Sequence, residues 1–172
     1  MKIASVSLLL GVFSATGAWA QDRIYRCGNE YTNTVSEAQS KYCKLISSSS
    51  DSEVIIQRGR NGHFQTEGKV NGQPARFLID TGATFVSVSN ELARVARIEG
   101  GAPVLLQTAN GKRTGRVVRD VAITIGNVTL TNVAVSVGLD GGSVDEVLFG
   151  QSALSRFEMS VVGNKMILRK SK

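Results

Sequence analysis

From Phe64 onward the chain is written in short runs of Val, Ile, Thr and Phe, each ended within a few residues by Gly or Asn-Gly. Strand-like runs do not alternate regularly with helix-length amphipathic segments, so a parallel sheet built from β-α-β units is not expected. What remains is an all-β fold of short strands joined by tight turns. The 18 glycines against 2 prolines supply those turns, and 172 residues with 42% hydrophobic content fill one ordinary core rather than two large ones.

The stretch "HFQTEGKVNGQPARFLID" holds two runs, Phe64 to Val70 and Ala75 to Ile79, around Asn71-Gly72. Both turn residues tolerate positive φ, which is the requirement of a two-residue hairpin. Further strands are expected at Phe85 to Val88, Val104 to Thr108, Thr114 to Ile125, Val128 to Val137, Glu146 to Phe149, and Phe157 to Leu168 with a break at Gly163-Asn164. In "SNELARVARI" a capping Ser89 or Asn90 precedes Leu92, Val95 and Ala96 at helical spacing, which predicts one short helix. A second is expected from Gln151 or Ser152, after Gly150. No internal repeat is visible.

The N-terminal third reads as attachments. Met1-Lys2, the apolar Ile3 to Phe13 and Ala18-Trp19-Ala20 have the charge, length and small-residue pattern of a secretory signal peptide, with residues 1–20 removed before Gln21. The apolar run falls short of the ~20 residues a spanning helix needs, and no other segment reaches that length, so no stable membrane span is expected. In an oxidising compartment Cys27 and Cys43, the only cysteines, are expected to form a disulfide that staples a small module over 21–46. Tyr25-Arg26-Cys27-Gly28 and Tyr31-Thr32-Asn33 resemble a short cysteine-bearing module found near the N-terminus of many proteobacterial envelope proteins, which points to the periplasm. The polar "SSSSDSE" opens a connector over 47–60, leaving 61–172 as the main domain.

Within that domain, "ARFLIDTGATFVSVS" puts one carboxylate, Asp80, at the end of an apolar strand. Gly82 permits a sharp turn, Thr81 can bond locally, and the next strand begins within a few residues, so the acid projects from the sheet in a fixed direction. Strand, Asp-Thr-Gly, strand, together with the later Leu148-Phe149-Gly150, resembles the retropepsin-like aspartic proteases, in particular a small periplasmic bacterial branch. The resemblance spans about Gly62 to Leu168 and implies a closed barrel of short strands with one or two short helices. It further implies Asp80 as the catalytic acid and Thr81, Gly82, Ala83 and Thr84 as its turn. In "LQTANGKRTGRV" it implies a substrate-covering flap at Thr108, Ala109, Asn110 and Gly111. Phe149 and Gln151 depart from the Leu-Leu-Gly-Met common in that branch, a difference expected to bear on local packing rather than on the catalytic group.

Peptide hydrolysis by this chemistry needs two carboxylates sharing a proton, one taking a proton from water while the other donates to the scissile carbonyl. No second Asp-Thr-Gly or Asp-Ser-Gly exists; Asp140-Gly141-Gly142 lacks the hydroxyl and the apolar lead-in and reads as a turn. A homodimer supplying Asp80 twice across a two-fold axis is the expected solution, with a peptide or protein as substrate. The alternative is a non-catalytic peptide-binding or scaffold protein that keeps the fold.

The net charge of +6 is spread over "QRGR", "ARVAR", "GKRTGR" and "LRKSK" without interleaved aromatic platforms, so no nucleic-acid partner is expected. A single histidine, His63, supports neither a metal site nor Ser-His-Asp or Cys-His catalysis, and neither metal nor cofactor is expected. Lys112 and Arg113 beside the flap tip read as exposed turn charges.

Overall fold

The computed structural model describes residues 24–46, 52–108, 111–139 and 143–171. The signal peptide expected at 1–20, the Ser-rich start of the connector, Ala109, Asn110 and the turn at Asp140-Gly141-Gly142 lie outside the described residues.

The N-terminal module is a three-stranded antiparallel sheet of β1 (Ile24–Cys27), β2 (Glu30–Thr32) and β3 (Cys43–Ile46), in the order β2-β1-β3. Register places Cys27 directly opposite Cys43, and the two form the expected disulfide, with a Cα–Cα distance of 4.2 Å. A bridge closing a loop of this length contributes about 3 kcal/mol in the chain-entropy account.

The connector expected over 47–60 is shorter than its polar start implies. β4 (Glu53–Gln57) falls inside it and pairs antiparallel with β13 (Lys165–Lys170), which in turn pairs with β12 (Phe157–Val162). The reason is alternation: Val54 and Ile56 face the core and are buried, and their burial outweighs the polarity of the neighbouring serines. Glu53, at the head of this strand, is buried as well. Its carboxylate accepts from Arg26 Nη1 at 2.5 Å and from the Tyr31 hydroxyl at 2.9 Å, both from the disulfide module. Burial, and then the bond and the charge of Glu53, push the Tyr31 phenol above its ordinary pKa. The residues that mark the module in the sequence are therefore also the residues that fasten it to the domain.

The main domain is built on β5 (Gln65–Val70), β6 (Gln73–Ile79), β7 (Val86–Val88), β8 (Ala102–Thr108), β9 (Gly111–Ile125), β10 (Val128–Val137) and β11 (Glu146–Phe149), in the order β10-β7-β11-β6-β5-β9-β8. β10 also pairs with β9, so six strands close into a barrel and β8 hangs outside it on β9. Gly68 makes the closure possible where β5 meets β9. A Cβ there would stand 2.1 Å from the Thr124 carbonyl oxygen and 2.7 Å from the Phe77 ring.

The Asn71-Gly72 hairpin forms as the sequence predicts, with φ of 46° and 84°. Its Asn71 side chain also donates to the Ala96 carbonyl and accepts from the Ala122 amide, tying the turn to two other segments. One of these follows α1 (Asn90–Val95), which is capped by Ser89, whose hydroxyl accepts from the Leu92 amide. α2 (Gln151–Leu154) follows Gly150. In the hydrophobic core Phe149 meets Phe77 edge-on at 5.5 Å and Phe157 at 6.3 Å.

Candidate active site

The order β7-β11-β6 is what builds the site. β6 and β7 are joined by the Asp80 turn, yet they are not neighbours. β11 lies between them, parallel to β6 and antiparallel to β7. The C-terminal end of β11 therefore arrives directly beside the turn. The Asp80 amide donates to the Phe149 carbonyl, the Ala83 amide donates to the Asp80 carbonyl, and Asp80 Oδ1 accepts from the Gly82 amide at 2.9 Å. Asp80 and Ala83 are half-buried, while Thr81, Gly82 and Thr84 are exposed.

Gly150 lets β11 come this close. A Cβ at this position would lie 2.2 Å from the Phe85 carbonyl oxygen and 2.7 Å from that of Ala83. Past it, α2 holds the turn from the other side: the amides of Gln151 and Ser152 donate to the carbonyls of Ala83 and Thr84, and Gln151 Nε2 donates to the Thr81 carbonyl at 2.9 Å. The Ser152 hydroxyl accepts from the Val86 amide and donates to the Ala134 carbonyl. Of the two departures singled out in the sequence, Phe149 is a packing residue. Gln151 is not confined to packing: its side chain reaches the backbone of the Asp80 turn, which sequence spacing alone does not reveal.

The expected flap is a hairpin of β8 and the first part of β9, paired from Ala102↔Val117 out to Thr108↔Gly111, with Gly111 at φ 103°. Ala109 and Asn110, at its tip, lie outside the described residues. Pro103 sits on β8, whose only partner in the sheet order is β9, so its missing N–H leaves no gap in the barrel. The Arg116 guanidinium anchors the hairpin by donating to the carbonyls of Ile98 and Gly100.

One rung of the sheet runs from this arm to the strand of Asp80: Val117 opposite Ser136, Ser136 opposite Ser87, Ser87 opposite Leu148, and Leu148 opposite Leu78. Directly paired residues share a face, and Leu78 shares the face of Asp80 two positions on. The flanking Phe77, Val86, Val88, Val147 and Phe149 point the other way into the core. Ser136 is buried and its hydroxyl lies 2.7 Å from that of Ser87. This strip of two leucines and a serine pair, beside Asp80, could not be assembled from the sequence because every pairing in it is long-range.

His63 is exposed. Among the described residues no three His, Cys, Asp or Glu side chains cluster as metal ligands, and no helix is long and apolar enough to cross a membrane.

A closed six-strand barrel carrying a carboxylate on a braced strand-end turn is the scaffold of an acid protease. Residues 66–156 match the family described as "gag-polyprotein putative aspartyl protease". A solved structure, a retropepsin-like aspartic protease from Rickettsia conorii, superposes with a TM-score of 0.57 at 30% identity, covering 69% of this chain and 90% of that one. Two uncharacterized proteins are also similar. One, encoded in the region 5′ of cobV in Sinorhizobium sp, is 33% identical over 118 residues, covering 67% of this chain and 50% of that protein. The other, from Rickettsia prowazekii (strain Madrid E), is 31% identical over 109 residues, covering 62% and 46%. The chain thus spans about half the length of these curated relatives. It belongs to the retropepsin-like aspartic protease family.

Proposed function

We propose that the chain is an exported aspartic endopeptidase that works as a homodimer. The observation that carries this reading is Asp80: a single carboxylate per Asp-Thr-Gly, half-buried, fixed at a strand end and bonded at Oδ1 by the Gly82 amide. Two such groups brought together by a two-fold axis make one dyad. Repulsion between them favours a single shared proton. The ionised Asp80 takes a proton from the attacking water and the protonated one donates to the peptide carbonyl, giving a tetrahedral diol; return of a proton to the nitrogen releases the amine. The Thr108–Gly111 hairpin closes over the peptide, and the Leu78, Leu148 and Ser87 strip underlies it.

Assembly gives the direct test. Near the dimer dissociation constant, hydrolysis of a diverse peptide library should rise more steeply than linearly with enzyme concentration. Light scattering that finds only monomer, with activity strictly proportional to concentration on dilution, contradicts the symmetric dyad and favours a peptide-binding protein that retains the fold.

We assign the periplasm as the compartment, supported by the signal-peptide pattern and by the disulfide. Protein recovered from the periplasm should have the intact mass of a chain starting at Gln21, rising by two hydrogens on reduction. An uncleaved N-terminus, or a mass that reductant leaves unchanged, rejects this assignment.

A further inference from the structure

We propose that Gln151 is a positioning residue for Asp80, acting through the peptide unit that joins Thr81 to Gly82. The carbonyl of that unit accepts from Gln151 Nε2 at 2.9 Å, and its amide donates to Asp80 Oδ1 at 2.9 Å. The unit is trans, so these two groups leave opposite edges of one rigid plane. A hydrogen bond to one edge fixes the orientation of the other. It also polarises the unit, and a carbonyl that accepts more strongly makes its amide a stronger donor.

From Asp80 to Thr84 the other bonds to β11 and α2 are made by backbone groups; the Ser152 hydroxyl acts beyond the turn, at Val86. The Asp80 amide is tied to the Phe149 carbonyl, and the carbonyls of Ala83 and Thr84 to the amides of Gln151 and Ser152. Any residue at those positions supplies those bonds. The plane of Thr81 and Gly82 is different: both residues are exposed, and its brace comes from the exposed side chain of Gln151. Making it takes a side chain long enough to reach Thr81 and carrying an N–H donor, which Gln151 supplies. The effect on Asp80 is local, since the charged residues on the strands packed here are Arg76 on β6 and Glu146 on β11, while β7 and α2 carry none.

The kinetic part of this inference rests on the protease reading of Asp80; the bond itself can be tested without turnover. Gln151→Met and Gln151→Glu keep the length of the side chain and remove the donor at neutral pH. In both, NMR should show the Gly82 amide proton moving upfield and its solvent exchange speeding up about tenfold, the equivalent of one ordinary hydrogen bond. Ser152→Ala, which removes the bonds to Val86 and Ala134 from the same segment, should lower thermal stability while leaving the Gly82 signal in place. In the active enzyme the Gln151 variants should lose about tenfold in kcat with KM unchanged. A Gly82 amide that is identical in wild type and both variants overturns the relay. A moved Gly82 amide with unchanged kcat overturns the positioning role. Wild-type protein that hydrolyses no peptide sinks the protease reading instead, and the Gly82 signal still decides the relay.

Discussion

Asp80→Asn should abolish peptide hydrolysis, by about three orders of magnitude or more, while leaving the fold standing. On the proposed mechanism the substitution removes the proton-exchanging group that each subunit contributes to the dyad, and in a two-fold dimer it removes both. The Asn carbonyl oxygen can still accept from the Gly82 amide, so the bond that shapes the turn survives. Two amides facing each other across the axis also repel less than two ionised acids, so toward the pH at which both would ionise the thermal midpoint should hold or rise and the dimer should tighten. If Asp80 only satisfied its own turn, the result would be the reverse: a weaker bond, lower stability and no change in any activity. Peptide hydrolysis and thermal unfolding of both proteins, from acid to neutral pH, separate the two. Full activity in the Asn variant rejects the catalytic role.

Arg26→Ala should cost about 3–5 kcal/mol of stability, because it leaves the buried Glu53 carboxylate with its strongest partner gone. In a chain of this size that is a fall in thermal midpoint of about 10 °C. The comparison is with Arg94→Ala on α1. Arg94 pairs with Glu91 in the open, where salt and water screen the contact and its loss should hardly be measurable. The double change of Arg26→Met with Glu53→Gln should recover most of the loss, since a neutral pair has far less desolvation to offset. Equal and small effects of Arg26→Ala and Arg94→Ala would show that the module rests on the domain without being held by it.

The parts of this fold that are legible in the sequence are those set by neighbours a few residues apart. Asn71-Gly72 announces its hairpin because only certain residues reach its φ values. Ser89 announces α1 because its hydroxyl fits an amide three residues on. Asp80-Thr81-Gly82 announces its turn for the same local reason. What lies beyond reach is pairing at long range. Nothing near Glu146 says that β11 slides between β6 and β7, although Gly150 hints at a close approach. The polar serines before Glu53 obscure β4, whose two inward residues are too few to stand out. Glu53 itself gives no sign in one dimension that Arg26 and Tyr31 will enclose it, and the grip of Gln151 on the turn at Thr81 spans 70 positions.

β4 also decides where this chain can be cut. A protease unit trimmed to begin at 61, as the connector reading invites, loses the strand that pairs with β13 along Glu53 to Gln57. That leaves β13 with an open edge and uncovers part of Met166, Ile167 and Leu168, all buried in the intact fold. A naked, apolar edge of this kind recruits other chains and precipitates. Trimming to begin at 52 keeps the strand but takes from Glu53 both of its hydrogen-bond donors in the module, Arg26 and Tyr31. A fragment meant to keep both β4 and the partners of Glu53 therefore has to include β1 and β2, so that the small disulfide sheet travels with the barrel.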